Sequence, residues 1–172
     1  AGYILTSDAD GVASWSPSEE ADRKQIFVTD FGAKGDGTTD DTNAFQSAID
    51  SAAVQSSTVH IPAGNYKITQ TLFVPAGVQL KGDGLGNSLD ASSNSATGSR
   101  ISFYGSNVFA LEFSGDYIGC RNMTIIDAGG LAAGGINYIT EDFASGVGAA
   151  FNDLFLLDFI NGTSLKLTAL TS

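Results

Sequence analysis

With 172 residues, 42% of them hydrophobic and 16% charged, the chain has enough apolar material for a core in one domain with an appendage, and too few charges to be disordered. Its net charge of −11, with eight Lys and Arg against 19 Asp and Glu, excludes nucleic acid and anionic membranes as partners. It admits a polyanionic substrate only through a local basic site or a bound cation.

A single cysteine, Cys120, and a single histidine, His60, provide neither an intrachain disulfide nor a zinc site, so no metal and no cofactor is expected. Cys120 follows Tyr117-Ile118-Gly119 and reads as a buried small hydrophobe. No apolar run approaches the ~20 residues of a bilayer span, so membrane insertion is not expected.

Residues 1–25 differ from the rest. Tyr3-Ile4-Leu5 and Val12-Ala13-Ser14-Trp15 flank Asp10-Gly11, a hairpin signal, and a polar stretch around Pro17 follows. This segment cannot bury a core alone and needs a partner surface. Ile26-Phe27-Val28 reads as a strand and residues 30–37 as a compact loop. Ala44, Phe45, Ala48, Ile49 and Ala52 then recur on one helical face, predicting a helix near 41–53. Thr39, Asp40 and Asp41 stand where they can cap its exposed N–H groups.

After the helix the period shortens. Short apolar runs at 58–62, 65–68, 72–75 and 78–81 are separated by Gly and Pro corners, as in a parallel solenoid. Residues 85–99, small and polar, read as a long loop. Strands resume at 100–103, 108–113 and 122–127; 128–149 reads as a second soft stretch; runs at 151–159 and 164–167 close the chain. Asn122, Asn152 and Asn161 suit coil corners. The chain opens on Ala1 and stops on Ser172 with no capping helix, so further coils or a trimer-forming segment are expected beyond it.

The run Phe27-Val28-Thr29-Asp30-Phe31-Gly32-Ala33-Lys34-Gly35-Asp36-Gly37-Thr38-Thr39-Asp40-Asp41-Thr42 resembles the opening signature of the pectate-lyase-like superfamily. Ile61-Pro62-Ala63-Gly64-Asn65-Tyr66 and Leu80-Lys81-Gly82-Asp83-Gly84 continue the match in order. The resemblance implies an all-β, right-handed parallel β-helix with one N-terminal capping helix, occupying residues 26–172. It also makes Asp40, Asp41, Thr42, Phe45 and Ile49 parts of a structural cap. Residues 2–15 resemble a short module of tail-fibre-like proteins. Together the two resemblances imply a viral or phage fibre or tailspike at the virion surface. It would be a homotrimer joined to other virion or fibre proteins, facing host cell-surface polysaccharide.

Superfamily members also include polysaccharide hydrolases and lyases, so a truncated enzyme is the alternative. Hydrolysis needs two carboxyl groups flanking the glycosidic bond. The Asp-Asp pair lies in the cap, Gly-His-Gly is absent, and His60 reads as structural. Lyase chemistry needs a base and a cation to neutralise a uronate. Lys81, Arg100 and Arg121, with Asp116, Asp127, Asp153 and Asp158, are candidates that form no recognisable set. For sugar binding, aromatic faces beside carboxylates select Tyr104, Tyr117 and Tyr138 with Glu112 and Asp127; Phe143, Glu141 and Asp142 share the character.

Overall fold

The computed structural model describes residues 25–85 and 97–140, Gly11, and strands at 3–7, 13–17, 150–157 and 163–169. The loop expected at 85–99 and the expected candidates Glu141, Asp142, Phe143, Asp158 and Asn161 fall wholly or largely outside these residues.

β1 (Tyr3–Ser7) and β2 (Ala13–Pro17) form an antiparallel hairpin, with Gly11 at φ +82° between them. Among the described residues every other strand pairing is parallel, and the strands wind as a right-handed β-helix with three faces. Face one stacks β3 (Ile26–Phe27), β5 (Thr58–Ile61), β8 (Gln79–Gly82) and the start of β11 (Gly119–Asp127). Face two stacks β4 (Asp36–Asp40), β6 (Gly64–Ile68), β9 (Ser99–Phe103) and the end of β11. Face three stacks β7 (Leu72–Val74), β10 (Phe109–Ser114), β12 (Gly134–Thr140) and β14 (Thr163–Ala169). β13 (Ala150–Leu157) follows β11 around the corner between faces one and two. Asn122 makes that corner at φ +56°, its carbonyl accepting the Gly84 N–H at 3.1 Å. A Cβ on Gly82 would stand 2.2 Å from this oxygen, so the coils close here only over glycine.

Where a third strand of the first coil would lie, the chain instead forms α1 (Thr42–Ala53), which buries Phe45, Ala48, Ile49 and Ala52. Gln46 of α1 continues the ladder onto face three. Its carboxamide donates to the Phe73 carbonyl and accepts the Phe73 N–H, both at 3.0 Å, closing the open edge of β7. Phe45 meets Tyr66 edge-on at 5.1 Å, and the Tyr66 hydroxyl donates to the Pro62 carbonyl.

The acidic residues before the helix divide their work differently from the expected shared capping. Asp41 makes no side-chain cap bond; its carboxylate accepts the Lys34 and Gly35 N–H groups at 2.7 and 3.1 Å and ties down the preceding loop. Asp40 accepts the Thr42 N–H at 3.0 Å, so it meets the first helical amide, and the Thr69 hydroxyl bridges it to the second coil. Thr39 bonds to Asp36 and not to the helix.

Two further readings are corrected. Residues 36–40 pair with β6 as a strand with irregular register and are not all loop. Residues 134–140, inside the expected soft stretch, form β12 between β10 and β14. Flanking glycines hide this strand in the sequence, and its pairing is entirely non-local.

Val59, Ile61, Leu80, Ile101, Phe103, Leu111, Phe113 and Ile125 fill the interior. Outside, the faces differ. On face two the alternate residues Arg100, Ser102 and Thr124 are also buried, so that face is covered at β9 and the end of β11, whereas β4 is mostly exposed. The outer residues of face one remain in contact with solvent.

Candidate functional site

Within face one, each strand sends an apolar residue inward and the next residue outward. Val59 and Leu80 align, and Leu80 aligns with Cys120; all three are buried. One step on, His60 aligns with Lys81, and Lys81 with Arg121. The period-two alternation of a strand thus places three nitrogen-bearing side chains on one outward row across three successive coils.

This row borders a groove of about 550 Å³, walled by Gln25, Ser56, Thr58, Gln79 and Tyr117 among others. The Tyr117 side chain is 68% exposed at its mouth. Backbone torsions at the groove are unusual. Ser56 and Tyr117 have φ of +47° and +57°, a region unfavourable for residues with a Cβ and most of all for a bulky one. Such conformations cluster at binding and catalytic sites, where surrounding structure holds them.

Phe27 stacks against His60 with 5.0 Å between ring centroids. His60 Nε2 bonds to Asp83 Oδ1 at 2.5 Å, and Asp83 Oδ2 accepts the Ala63 N–H at 3.1 Å. The His60 hydrogen bond, against a smaller opposing effect of burial, holds the Asp83 carboxyl below its ordinary range; the Ala63 amide and the charges of His60 and Lys81 act in the same direction. Asp83 is therefore anionic at neutral pH and braces the corner between β5 and β6. Among the described residues, no carboxylate lies within ion-pair distance of Lys81 or Arg121, and no three of His, Cys, Asp and Glu converge as a metal would require.

Of the five sugar-binding candidates, only Tyr117 lies in this groove. Tyr104 sits at the corner after β9, 42% exposed, with Lys67 Nζ 5.4 Å from its ring centroid. Glu112 is on face three, between Phe73 and Asn137. Tyr138 belongs to the core at 5% exposure. Asp127 is also buried, its carboxylate accepting the Gly130 and Ala132 N–H groups at 2.8 and 3.0 Å to close a turn. These two side chains point away from any surface ligand. Lys81 and Arg121 stood in the sequence as lyase candidates without a recognisable set and His60 as structural; that the three share one outward row was not visible there. The row's signal is the repeated offset in Val59-His60, Leu80-Lys81 and Cys120-Arg121, which becomes visible once the coils are aligned.

A parallel β-helix with a helical first-coil cap and an open groove on one face defines the class of protein. More particularly, the family model described as rhamnogalacturonase A/epimerase, pectate lyase-like matches residues 25–138, and the chain belongs to that family. It is 43% identical over 88 residues to mannuronan C5-epimerase AlgE1 of Azotobacter vinelandii, a match covering 44% of this chain and 6% of that protein. Among solved structures, the AlgE6 A-module of the same organism superposes with a TM-score of 0.59 at 22% identity, over 76% of this chain and 37% of that one. ORF18 of Geobacillus virus E2 does so with a TM-score of 0.57 at 24% identity, over 90% and 32%. The chain therefore spans a small part of this curated relative and about a third of each structure. Among the described residues, no helix is long and apolar enough to cross a membrane.

Proposed function

We propose that this chain is the capped N-terminal part of a fibre or tailspike module whose β-helix presents an open face to host cell-surface polysaccharide. The observation that carries the reading is the face-one groove. It is lined from three successive coils of face one, polar-walled, and flanked by an exposed tyrosine on strained backbone. A tyrosine ring offers a flat apolar surface to the C–H face of a sugar, while Thr58, Gln79 and Lys81 offer hydrogen bonds to hydroxyls. A hairpin at 3–17 preceding the cap suits a connector, residues 1–25, that strings the module to other virion proteins. The likeness to the Geobacillus virus E2 protein is one of fold alone.

On this reading the protein is a homotrimer at the virion surface. Sedimentation equilibrium should give three times the 17.7 kDa chain mass, and removal of residues 1–20 should lower it. A monomer mass at every micromolar loading would sink the trimer. For the groove, a glycan array should show binding that Tyr117→Ala removes with melting unchanged. An array with no bound glycan would overturn the reading.

The stretch resembling mannuronan C5-epimerase AlgE1 favours a second reading, that the whole protein modifies polysaccharide. New reducing ends, unsaturated products, or a changed uronate stereochemistry in a bound glycan would establish it over adhesion alone.

A further inference from the structure

Resting on the trimer reading above, we propose where its chains meet. Two further copies of this chain pack against the corner between faces two and three, around a threefold axis parallel to the β-helix. Tyr104, Val108 and Leu131 form the centre of the contact, and Lys67 of each copy faces Glu112 of the next.

The apolar surface of the molecule is unevenly placed. Seven large apolar side chains are exposed among the described residues. Tyr117 belongs to the groove, and Phe31 and Val54 lie at the cap. The other four gather on one side. Tyr104 and Val108 flank the turn from β9 to β10, and Leu131 stands on the same corner one coil further. Backbone bonds join the two turns: the Asn107 amide donates to the Leu131 carbonyl at 2.8 Å, and the Ala133 amide to the Val108 carbonyl at 2.9 Å. Phe73 continues the patch onto face three, where it aligns with Glu112 of the next coil. The four side chains are between 41% and 58% exposed. A whole aromatic side chain offers about 150–250 Å², so the patch is on the order of 350 Å². Patches of that size on a monomer commonly mark a contact surface.

The charges beside this patch complement each other. Lys67 projects from β6 on the face-two side and Glu112 from β10 on the face-three side, one coil apart. Their heights therefore differ by about 4.8 Å, within the reach of a lysine. Neither has an ion pair among the described residues. Lys67 Nζ lies 5.4 Å from the Tyr104 ring centroid, so the cation borders the apolar centre. Rotation about an axis parallel to the β-helix sets the face-two side of one copy against the face-three side of the next. It leaves every residue at its own height, so each Lys67 meets a neighbouring Glu112. Repeated head to tail, that contact closes into a ring. Three wedge-shaped corners meeting at an axis bring these flanks closer together than two would.

The position of the corner suits the groove as well. In a coil of three faces it stands opposite face one, so copies joined here all turn their grooves outward. An aromatic and aliphatic centre with a charged rim is also the make-up of a protein interface. A standard interface buries about 800 Å² per partner; the patch supplies its dry centre and the flanking faces the remainder. The charge of −11 on each chain opposes association, and Lys67 places a cation at the contact where it offsets part of that repulsion.

The experiment is sedimentation equilibrium on the whole chain at micromolar loading and about 0.15 M salt, where charges are screened beyond about 8 Å. The wild-type chain should give the trimer mass. Tyr104→Glu with Leu131→Glu should raise the dissociation constant about tenfold or more, with melting of the diluted chain unchanged because both side chains are exposed. Lys67→Glu and Glu112→Lys should each weaken the trimer, and the two together should restore it, since the pair is then reversed. Failure of the combined variant to recover overturns the Lys67–Glu112 contact. A trimer that survives Tyr104→Glu with Leu131→Glu overturns the interface and spares the trimer reading. A dimer mass overturns the threefold arrangement. A wild-type monomer at every loading leaves the corner to another occupant and overturns both the interface and the trimer. The glycan array bears on the groove alone and stands apart from each of these outcomes.

Discussion

The cap and the face-one groove use polar residues in opposite ways. In the cap, Asp36, Asp40 and Asp41 all direct their carboxylates at backbone amides or hydroxyls of the chain, joining the first loop, the helix and the second coil. In the groove, Lys81 and Arg121 point outward with no ion pair among the described residues, on a strand face whose inward side is fully packed. A region whose polar groups are internally satisfied serves the fold. One whose charged groups are held in a row without partners is shaped for something outside it. Substitution should separate the two, since cap changes act on stability and groove changes on binding.

The largest effect is expected at Phe45. Its ring is fully buried between α1 and Tyr66, and Phe45→Ala should cost about 3–5 kcal/mol, read as a shift in the urea midpoint. Protein that remains folded should bind with unaltered affinity. Asp41→Ala comes next. It leaves the Lys34 and Gly35 N–H groups without their acceptor beside a buried side chain, which should cost about 1–3 kcal/mol. A loss below about 0.5 kcal/mol would mean that water replaces the carboxylate.

Asp40→Asn tests the acid limb. Burial works to raise the Asp40 carboxyl. Hydrogen bonds from Thr42 and Thr69, with Lys67 nearby, outweigh it and hold the group below its ordinary 3.8. Asp36 is lowered by the Thr39 and Thr38 amides. A carboxyl with a depressed folded-state value contributes stability present above about pH 4 and lost as pH falls through that value. Asp41 acts in reverse: burial raises it, against the Lys34 and Gly35 amides, so its protonation favours the folded state and that gain fades as pH rises. The wild-type chain should lose stability below pH 4, and Asp40→Asn should make that limb shallower. An unchanged limb in melts between pH 2 and 6 would remove Asp40 from the account.

The β-helix was legible because its cues are local. The loop, the helical spacing of Phe45 and Ile49 and the Gly and Pro corners each occur within a few residues. β12 was not, because Gly134 and Gly135 look like loop until β10 and β14 are brought alongside. The candidate site was less legible for the same reason. Tyr117 stood out as an exposed aromatic, but Tyr138 carries the same chemistry and is core. Burial in a solenoid depends on which way a strand faces, and raggedly spaced coils conceal that. His60, Lys81 and Arg121 are far apart in sequence and become neighbours only through coil register.

The smallest expected effect is the most discriminating. Arg121 is exposed, and neither it nor Lys81 has an ion-pair partner among the described residues. Replacing them by glutamine should therefore change stability by no more than about 0.5 kcal/mol each, the ordinary scale for surface positions. Removing two positive charges makes an acidic chain more acidic, which slightly opposes compaction. Lifting Lys81 away from Arg121, with which it is aligned across adjacent coils, relieves like-charge repulsion and acts the other way. These terms are small and opposed, so the melting temperature should stay near that of wild type. If both substitutions lowered stability by more than about 1 kcal/mol, the row would be structural, held in part by longer-range attraction such as that of Lys81 to the charge of Asp83. Stability held at the wild-type value alongside a loss of glycan binding would mark these two residues as facing outward for a ligand, as the cap residues do not.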